Sequence, residues 1–363
     1  MKIIRLHLGD RSYDILIGKG AIARLPAIIK SLKFDGSVVV IADKTVLSKA
    51  RSVIDPVFKK IKNELHWITI PGEERSKSLK VYEQTAHKIS RKTKMHRPLI
   101  IALGGGVVGD LGGFVAATYR RGGPCIQIPT TLLAQVDSAI GGKVGVDLPQ
   151  AKNLIGAFKQ PRAVLMDPDF LETLPVKQLH NGLAEIIKYG VIKDDRLFRF
   201  LEGNIKKILS LDRRTMERII CDCATIKARI VEKDELDNKK IRIILNFGHT
   251  LGHAVEAAAG YTAAYNHGES IAIGMLLAGE IALKLDMFDE KDLLRIKKLI
   301  RSAGLPVKTK NVSVKEIMNS YAHDKKFTRG TNRFVLPKKI GSVEVIEDIP
   351  EILIKNVLKK YAG

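Results

Sequence analysis

The chain is short of several features that mark particular classes of protein. It has 3 cysteines and 1 tryptophan in 363 residues, and only 6% of its residues are aromatic. Cys125, Cys221 and Cys223 are odd in number, and the C-x-C pair lacks the spacing of a structural zinc site or a redox motif. A disulfide framework is therefore not expected, and a reducing cytoplasmic location fits best. No apolar run approaches the ~20 residues that a membrane helix requires. The opening stretch MKIIRLHLGD reads as too short and too charged for a signal peptide. Acidic residues are also few, 39 against 61 Lys and Arg, for a formal net charge of +22. Nucleic-acid binding would pair such charge with stacking aromatics, which are scarce here. The basic residues are instead scattered, as in Lys206-Lys207, Lys297-Lys298 and Lys359-Lys360. Solvated helix faces and an attraction for phosphorylated small molecules account for them.

What is present describes a globular protein, with 45% hydrophobic and 28% charged residues. The length favours two domains over one core. In the first half, the β-branched runs Ser37–Ala42 and Leu99–Leu103 read as buried strands. Between them, Ser76–Arg91 carries apolar side chains at helical spacing. Strands separated by helices imply a Rossmann-like, doubly wound parallel sheet. After about Pro175 long helical patterns take over, including Arg213–Lys233, Leu251–Ala259 and Ser270–Leu285. Ser313 and Glu316 form a capping-box signature that opens a further helix. The expectation is an α/β domain over 1–175 and a mostly α-helical domain over 176–363.

Two motifs carry chemistry. Strand Leu99–Leu103 runs into GGGVVGDLGG, where Gly104, Gly106 and Gly109 satisfy G-x-G-x-x-G. Such a loop lets backbone amides approach a pyrophosphate at a helix N-terminus. No acidic residue follows Asp110 until Asp137, so Asp43, closing the earlier strand, is the better partner for ribose hydroxyls. The second motif is LNFGHTLGHAVE from Leu245, with His249 and His253 one helical turn apart. His267 follows in NHGE, and Glu185 stands on the apolar helical pattern GLAEIIKYG. Histidine and glutamate from three segments provide three ligands and one open position for a catalytic divalent metal.

Read together, six blocks strongly resemble the 3-dehydroquinate synthase family. They are PGEERSKSL from Pro71, LGGGVVGDLGGFVAATYRRG from Leu103, and PTTLLAQVDSAIGGKVGVDLPQAKNLIGAFKQP from Pro129. GLAEIIKYGVI from Gly182, LNFGHTLGHAVE from Leu245 and NHGESIAIGM from Asn266 complete the set. The resemblance implies a phosphate-eliminating carbon–oxygen lyase. It would convert 3-deoxy-D-arabino-heptulosonate 7-phosphate to 3-dehydroquinate through transient oxidation by NAD. It also implies metal ligation by Glu185, His249 and His267, with zinc or cobalt as the ion. NAD would meet Asp43, Glu74, Lys77, Gly105, Gly106, Val107, Asp110, Thr130, Thr131, Phe170 and Thr173. Substrate would meet Arg121, Lys143, Lys152, Asn153, Lys188, Lys227, Arg242, Asn246, His253 and a lysine of Lys325-Lys326. Catalytic roles fall to His253, Lys188, Lys152, Asn153 and Asp137, with an acidic base at Asp237 or Glu235. A homodimer is expected on the same ground, with no nucleic-acid partner and no membrane.

Three positions depart from the family pattern. The segment Asp234–Arg242 is longer than the family's and lacks its glycine, Arg120 replaces an apolar residue, and Val144 replaces a threonine. Rival readings are a sister sugar-phosphate cyclase of inosose or valiolone type and a metal-dependent polyol dehydrogenase. Arg242 and Asn246 favour the dehydroquinate branch, and the cationic block around Lys143, Lys152 and Asn153 has no purpose in a dehydrogenase.

Overall fold

The structure, a computed structural model, describes residues 1–93, 96–260, 265–327 and 332–362, without the side chains of 323–327. The chain forms two compact units, Met1–Pro175 with Met216–Leu236, and Val176–Thr215 with Asp237–Gly363.

The first unit opens with β1 (Lys2–Leu6), β2 (Tyr13–Ile17), α1 (Leu25–Ser31) and β3 (Val38–Asp43). It continues through α2 (Lys44–Lys49), α3 (Arg51–Phe58), β4 (Leu65–Ile70), α4 (Leu79–Lys92), β5 (Leu99–Gly104) and α5 (Gly106–Thr118). Then come β6 (Cys125–Pro129), β7 (Lys143–Leu148), β8 (Ala151–Phe158) and β9 (Ala163–Met166). Seven strands form one sheet in the order β1-β2-β9-β6-β5-β3-β4. All neighbours pair in parallel except β1, which runs antiparallel to β2 at the edge. The β-branched run Val38–Ala42 is buried on both faces, so alternate side chains feed two cores. Val38, Val40 and Ala42 meet Leu25 and Ile29 of α1 and Ile54 and Phe58 of α3. Val39 and Ile41 meet Ile89 of α4 and Leu111 and Val115 of α5. Each such buried side chain contributes roughly 1.5–3 kcal/mol of apolar transfer. β7 and β8 make a separate antiparallel hairpin.

The second unit contains α6 (Val176–Ile192) and α7 (Asp195–Leu209), followed by α8 (Arg213–Lys233), most of which belongs to the first unit. It resumes with α9 (His249–Ala258), α10 (His267–Lys284), α11 (Glu290–Ser302) and α12 (Val314–Phe327). The hairpin β10 (Arg333–Lys339) and β11 (Ser342–Glu347) and then α13 (Glu351–Tyr361) close the chain. Helices α6 and α10 are buried along most of their lengths, and α10 packs on both α6 and α9. Helix α10 starts three residues ahead of the apolar pattern because Asn266 and Glu269 close a capping box. At α12, Glu316 accepts the Ser313 N–H at 2.7 Å, as the sequence signature implies. Helices α9 and α10 pass at backbone contact: a Cβ on Gly274 would lie 1.9 Å from the Gly248 carbonyl oxygen. No helix among the described residues is long and apolar enough to cross a membrane.

Candidate active site

In the second unit, three helices deliver the metal-type residues. Glu185 lies mid-way along α6 and is fully buried, while His249 and His267 are the first residues of α9 and α10. Glu185 Oε1 stands 3.2 Å from His267 Nε2 and 3.5 Å from His249 Nε2. Atoms bound at about 2.0–2.1 Å to a tetrahedral ion stand roughly 3.3–3.5 Å apart, so these separations fit a divalent cation. One ligand atom from each residue lies within 4.8 Å of the others. The Phe247 carbonyl lies 3.1 Å from His249 Nδ1, which leaves Nε2 to coordinate.

The electrostatics favour a cation at the same point. Burial raises the Glu185 carboxyl, but Lys188, His267 and His249 outweigh it and hold the group well below the usual carboxylate range. Lys188 Nζ sits against Glu185 Oε2 as an ion contact, without hydrogen-bond geometry. Burial pulls His249 down to about 3, so its ring is neutral and Nε2 can accept a cation. Burial also opposes a proton on His267, yet Glu185 and Glu256 push that ring up to about 9. The carboxylates thus draw positive charge to His267, and a divalent ion there would displace the proton. His253 lies one turn beyond His249, exposed, with ring centroids 5.2 Å apart.

The first unit holds the residues expected to meet NAD, several of them at the carboxyl ends of its parallel strands. The chain passes from β3 to β4 on one side and then to β5 on the other, so sheet order reverses between β3 and β5. Open α/β sheets bind ligands in the crevice at such a point. Asp43 ends β3 and the glycine loop follows β5. Asp43 Oδ1 caps α2 by accepting the Thr45 N–H at 2.7 Å, which leaves its other oxygen for a ligand. Helix α5 begins at Gly106 with Gly105 as its N-cap, so Val107 and its neighbours present first-turn amides. The buried Thr130 Oγ1 has no hydrogen-bond partner, and Thr131 Oγ1 accepts from Ala134 N at 3.2 Å.

Lys77 is buried, with its ammonium 2.6 Å from Asp110 Oδ2 and in contact with Asn153 Oδ1. Asp147, which the sequence reading did not single out, joins this knot. Its Oδ1 accepts the Asn153 N–H at 2.7 Å and holds Asn153 at φ +57°. Lys152 Nζ lies 3.8 Å from Glu74. Asp137 sits in a π-helical turn, Ala134–Ser138, and Lys227 of α8 donates to its carbonyl at 2.7 Å and contacts its carboxylate. Phe170 is 2% exposed and belongs to the hydrophobic core, with Thr173 Oγ1 donating to its carbonyl at 3.2 Å.

Of the remaining cations, Arg121 and Lys143 are exposed and Arg242 is buried. Arg121 follows Arg120 in a turn where both have positive φ, 66° and 47°, and Lys143 opens β7 on the surface. Arg242 is buried and begins a 3-10 turn that ends at the exposed Asn246. Of the two acids weighed as base, Glu235 is tied bidentately to Arg11 at 2.9 and 2.7 Å, while Asp237 is exposed at φ +54°. The side chains of Lys325 and Lys326 lie outside the described residues. Two buried groups beside the metal-type cluster went unnoticed in the sequence, Asn181 and Glu256. Their only signals are spacings, four residues before Glu185 and seven after His249.

This two-unit fold is that of the sugar-phosphate cyclases. A 2-epi-5-epi-valiolone synthase from Streptomyces hygroscopicus, solved with NAD+ and Zn2+ bound, superposes with a TM-score of 0.88 at 27% identity over 98% of each chain. A 2-deoxy-scyllo-inosose synthase, complexed with carbaglucose-6-phosphate, NAD+ and Co2+, shares the fold at TM-score 0.87 and 24% identity, over 99% of this chain and 100% of that one. Family models described as 3-dehydroquinate synthase N-terminal and C-terminal match residues 67–181 and 182–327. A 3-dehydroquinate synthase of Desulforamulus reducens is 42% identical over 99% of this chain and 100% of that protein. The chain belongs to the 3-dehydroquinate synthase family.

Proposed function

We propose that the protein is a 3-dehydroquinate synthase acting on 3-deoxy-D-arabino-heptulosonate 7-phosphate with NAD and a divalent metal, zinc or cobalt. The observation that carries this is the Glu185–His249–His267 cluster, with ligand atoms at metal-like separations, in a chain that aligns end to end with a named synthase at 42% identity. The valiolone synthase, at 27%, is a more distant relative.

In this reading the first unit binds NAD and the second holds the metal. When bound, the metal would lower the pKa of a substrate hydroxyl, and NAD+ would accept and later return one hydride. Glu185, His249 and His267 hold the ion, and Lys188 places a buried ammonium beside it. The sequence of bonds is oxidation of a secondary alcohol, removal of the acidified neighbouring C–H proton with loss of phosphate from the carbon beyond it, reduction, ring opening and intramolecular aldol closure. No net oxidation occurs, so substrate gives carbocycle and phosphate only. His253 moves protons at the reacting end, with Asp237 as a second base. Phe170 supports the nucleotide crevice from the core, and Asp43, Thr130 and the amides after Gly105 face the nucleotide. Arg121, Lys143, Lys152, Lys227, Arg242, Asn246 and Asn153 bind the carboxylate, phosphate and hydroxyls; the arginines offer planar forks and the lysines point charges. The working assembly is a homodimer in the cytoplasm, which sedimentation of the purified chain and fractionation of cells test.

The deciding assay incubates the protein with NAD, zinc and the seven-carbon phosphate while phosphate and bulk NADH are followed together. Phosphate released without NADH, with dehydroquinate as product, is expected. NADH accumulating with simple polyols would move the chain to the dehydrogenases.

A further inference from the structure

We propose that Asn181 and Glu256 act as positioning residues, not as ligands, and hold His267 as a metal ligand, an inference that rests on the metal reading above. Glu256 also stands with His253 and His267 in a second group of ligand-type atoms within 4.8 Å of one another. Asn181 fixes the His267 end of α10, and Glu256 fixes the ring.

His267 is the first residue of its helix, so its ring goes wherever that helix end goes. The buried Asn181 Oδ1 accepts the Gly268 N–H at 2.6 Å, one residue along. Only the amide oxygen can accept this proton, and Nδ2 donates to Gln178 Oε1 at 3.3 Å, so the side chain has one orientation. Asn181 precedes Glu185 by four residues and lies on the same face of α6. The hydrogen bond therefore joins the same two elements that carry Glu185 and His267, one turn from the ligands. There is no slack in it, because a Cβ on Gly268 would meet the Asn181 carbonyl oxygen at 2.4 Å. The capping box reinforces that end: Asn266 Oδ1 accepts from Glu269 N at 2.9 Å, and Glu269 Oε2 accepts from Asn266 N at 2.7 Å. Lys177, one turn earlier on α6, lies 3.7 Å from Glu269. Positions 177, 181 and 185 thus form one strip that grips the start of α10.

Glu256 acts on the ring. It is buried on α9, and its Oε2 lies 3.9 Å from His267 Nδ1. Since Nε2 faces Glu185, Nδ1 is the nitrogen left to carry the hydrogen, and a carboxylate on that side selects the tautomer. The Phe247 carbonyl stands in the equivalent place for His249. At 3.9 Å the Glu256 contact is longer than a hydrogen bond, so its removal has the smaller effect.

The test measures zinc affinity by chelator competition, together with thermal melting of metal-free and zinc-loaded protein. Asn181→Leu, which removes the acceptor, is expected to weaken zinc binding on the order of 10–100-fold. Asn181→Asp, which keeps it, is expected to stay within about threefold of the parent. Glu256→Leu is expected to lose about tenfold. The cobalt-loaded forms of the leucine variants should show shifted visible absorption. If Asn181→Leu does not fold, Asn181→Ala takes its place, and Glu256→Leu reads the ring side independently. Zinc affinity unchanged in the variants, with both melts lowered equally, would reduce the residues to structural ones and overturn the inference alone. A parent protein that binds no zinc would overturn the metal reading and the inference together.

Discussion

In the first unit the groups around the glycine loop are backbone amides and a knot of paired charges. In the second, the metal-type cluster is made of side chains brought in by three helices. The two regions depend differently on sequence. Backbone amides survive almost any substitution that leaves room, so the loop is sensitive to added bulk. Ligand side chains tolerate no replacement, yet their surroundings can vary as long as the helices keep their spacing. The ways of losing function should differ accordingly.

The largest effect should come from the ligands. His249→Ala is expected to lose bound metal, measured by elemental analysis, and at least ~1000-fold in turnover, since the ion supplies several kcal/mol of charge stabilisation. Stripping the parent with a chelator should do the same, with zinc restoring activity. A His249→Ala protein that keeps its metal and full activity would remove the cluster from the chemistry. Next comes His253→Ala, which should keep the metal and lose roughly 10²–10⁴-fold in turnover, the range for a proton-transfer group. Loss of metal as well would make His253 a ligand and blur the distinction between it and His249.

In the first unit, Lys77→Met should leave the partly buried Asp110 without its nearest cation and destabilise the protein by about 3 kcal/mol in denaturant melts. Lys77→Met with Asp110→Leu should recover much of that loss. A single variant as stable as the parent would show the knot to be passive. The smallest effect expected is that of Gly105→Ala. Its methyl would stand 2.9 Å from Thr131 Cγ2. NAD affinity, read by fluorescence titration, should fall about tenfold while zinc affinity stays unchanged. Equal loss of both ligands would break the contrast between the two regions.

Much of the first unit was legible because its signals are local. The run at Val38 is almost wholly β-branched and that at Leu99 wholly apolar, the pattern of doubly buried strands, and the glycines after Leu103 leave little choice of turn. The antiparallel edge strand β1, KIIRL, carries two bases and no sheet-like alternation, so its pairing with β2 follows from tertiary contact alone. The hairpin β10–β11 was hidden by Pro337 and the lysines beside it, and β7–β8 by glycines at 145 and 156. That Met216–Leu236 packs with the first unit is likewise written in no local pattern. Within the site, His249, His267 and Glu185 could be named because their residue types are informative. Asn181, Glu256 and Asp147 could not. An asparagine that accepts one N–H from a neighbouring helix looks like any other polar residue until the neighbour is known.

The closeness of α9 and α10 at Gly248 and Gly274 has a consequence for how this protein can change. At the Gly248–Gly274 approach backbone meets backbone, so neither residue has a side chain that could be resized to adjust it. Drift elsewhere in the core can shift other helices by small steps, but the interval between the two histidine-bearing helices is locked at its minimum. A lineage exploring new substrates on this scaffold is therefore free to redecorate the surrounding surfaces, while the distance between its two imidazoles stays inherited.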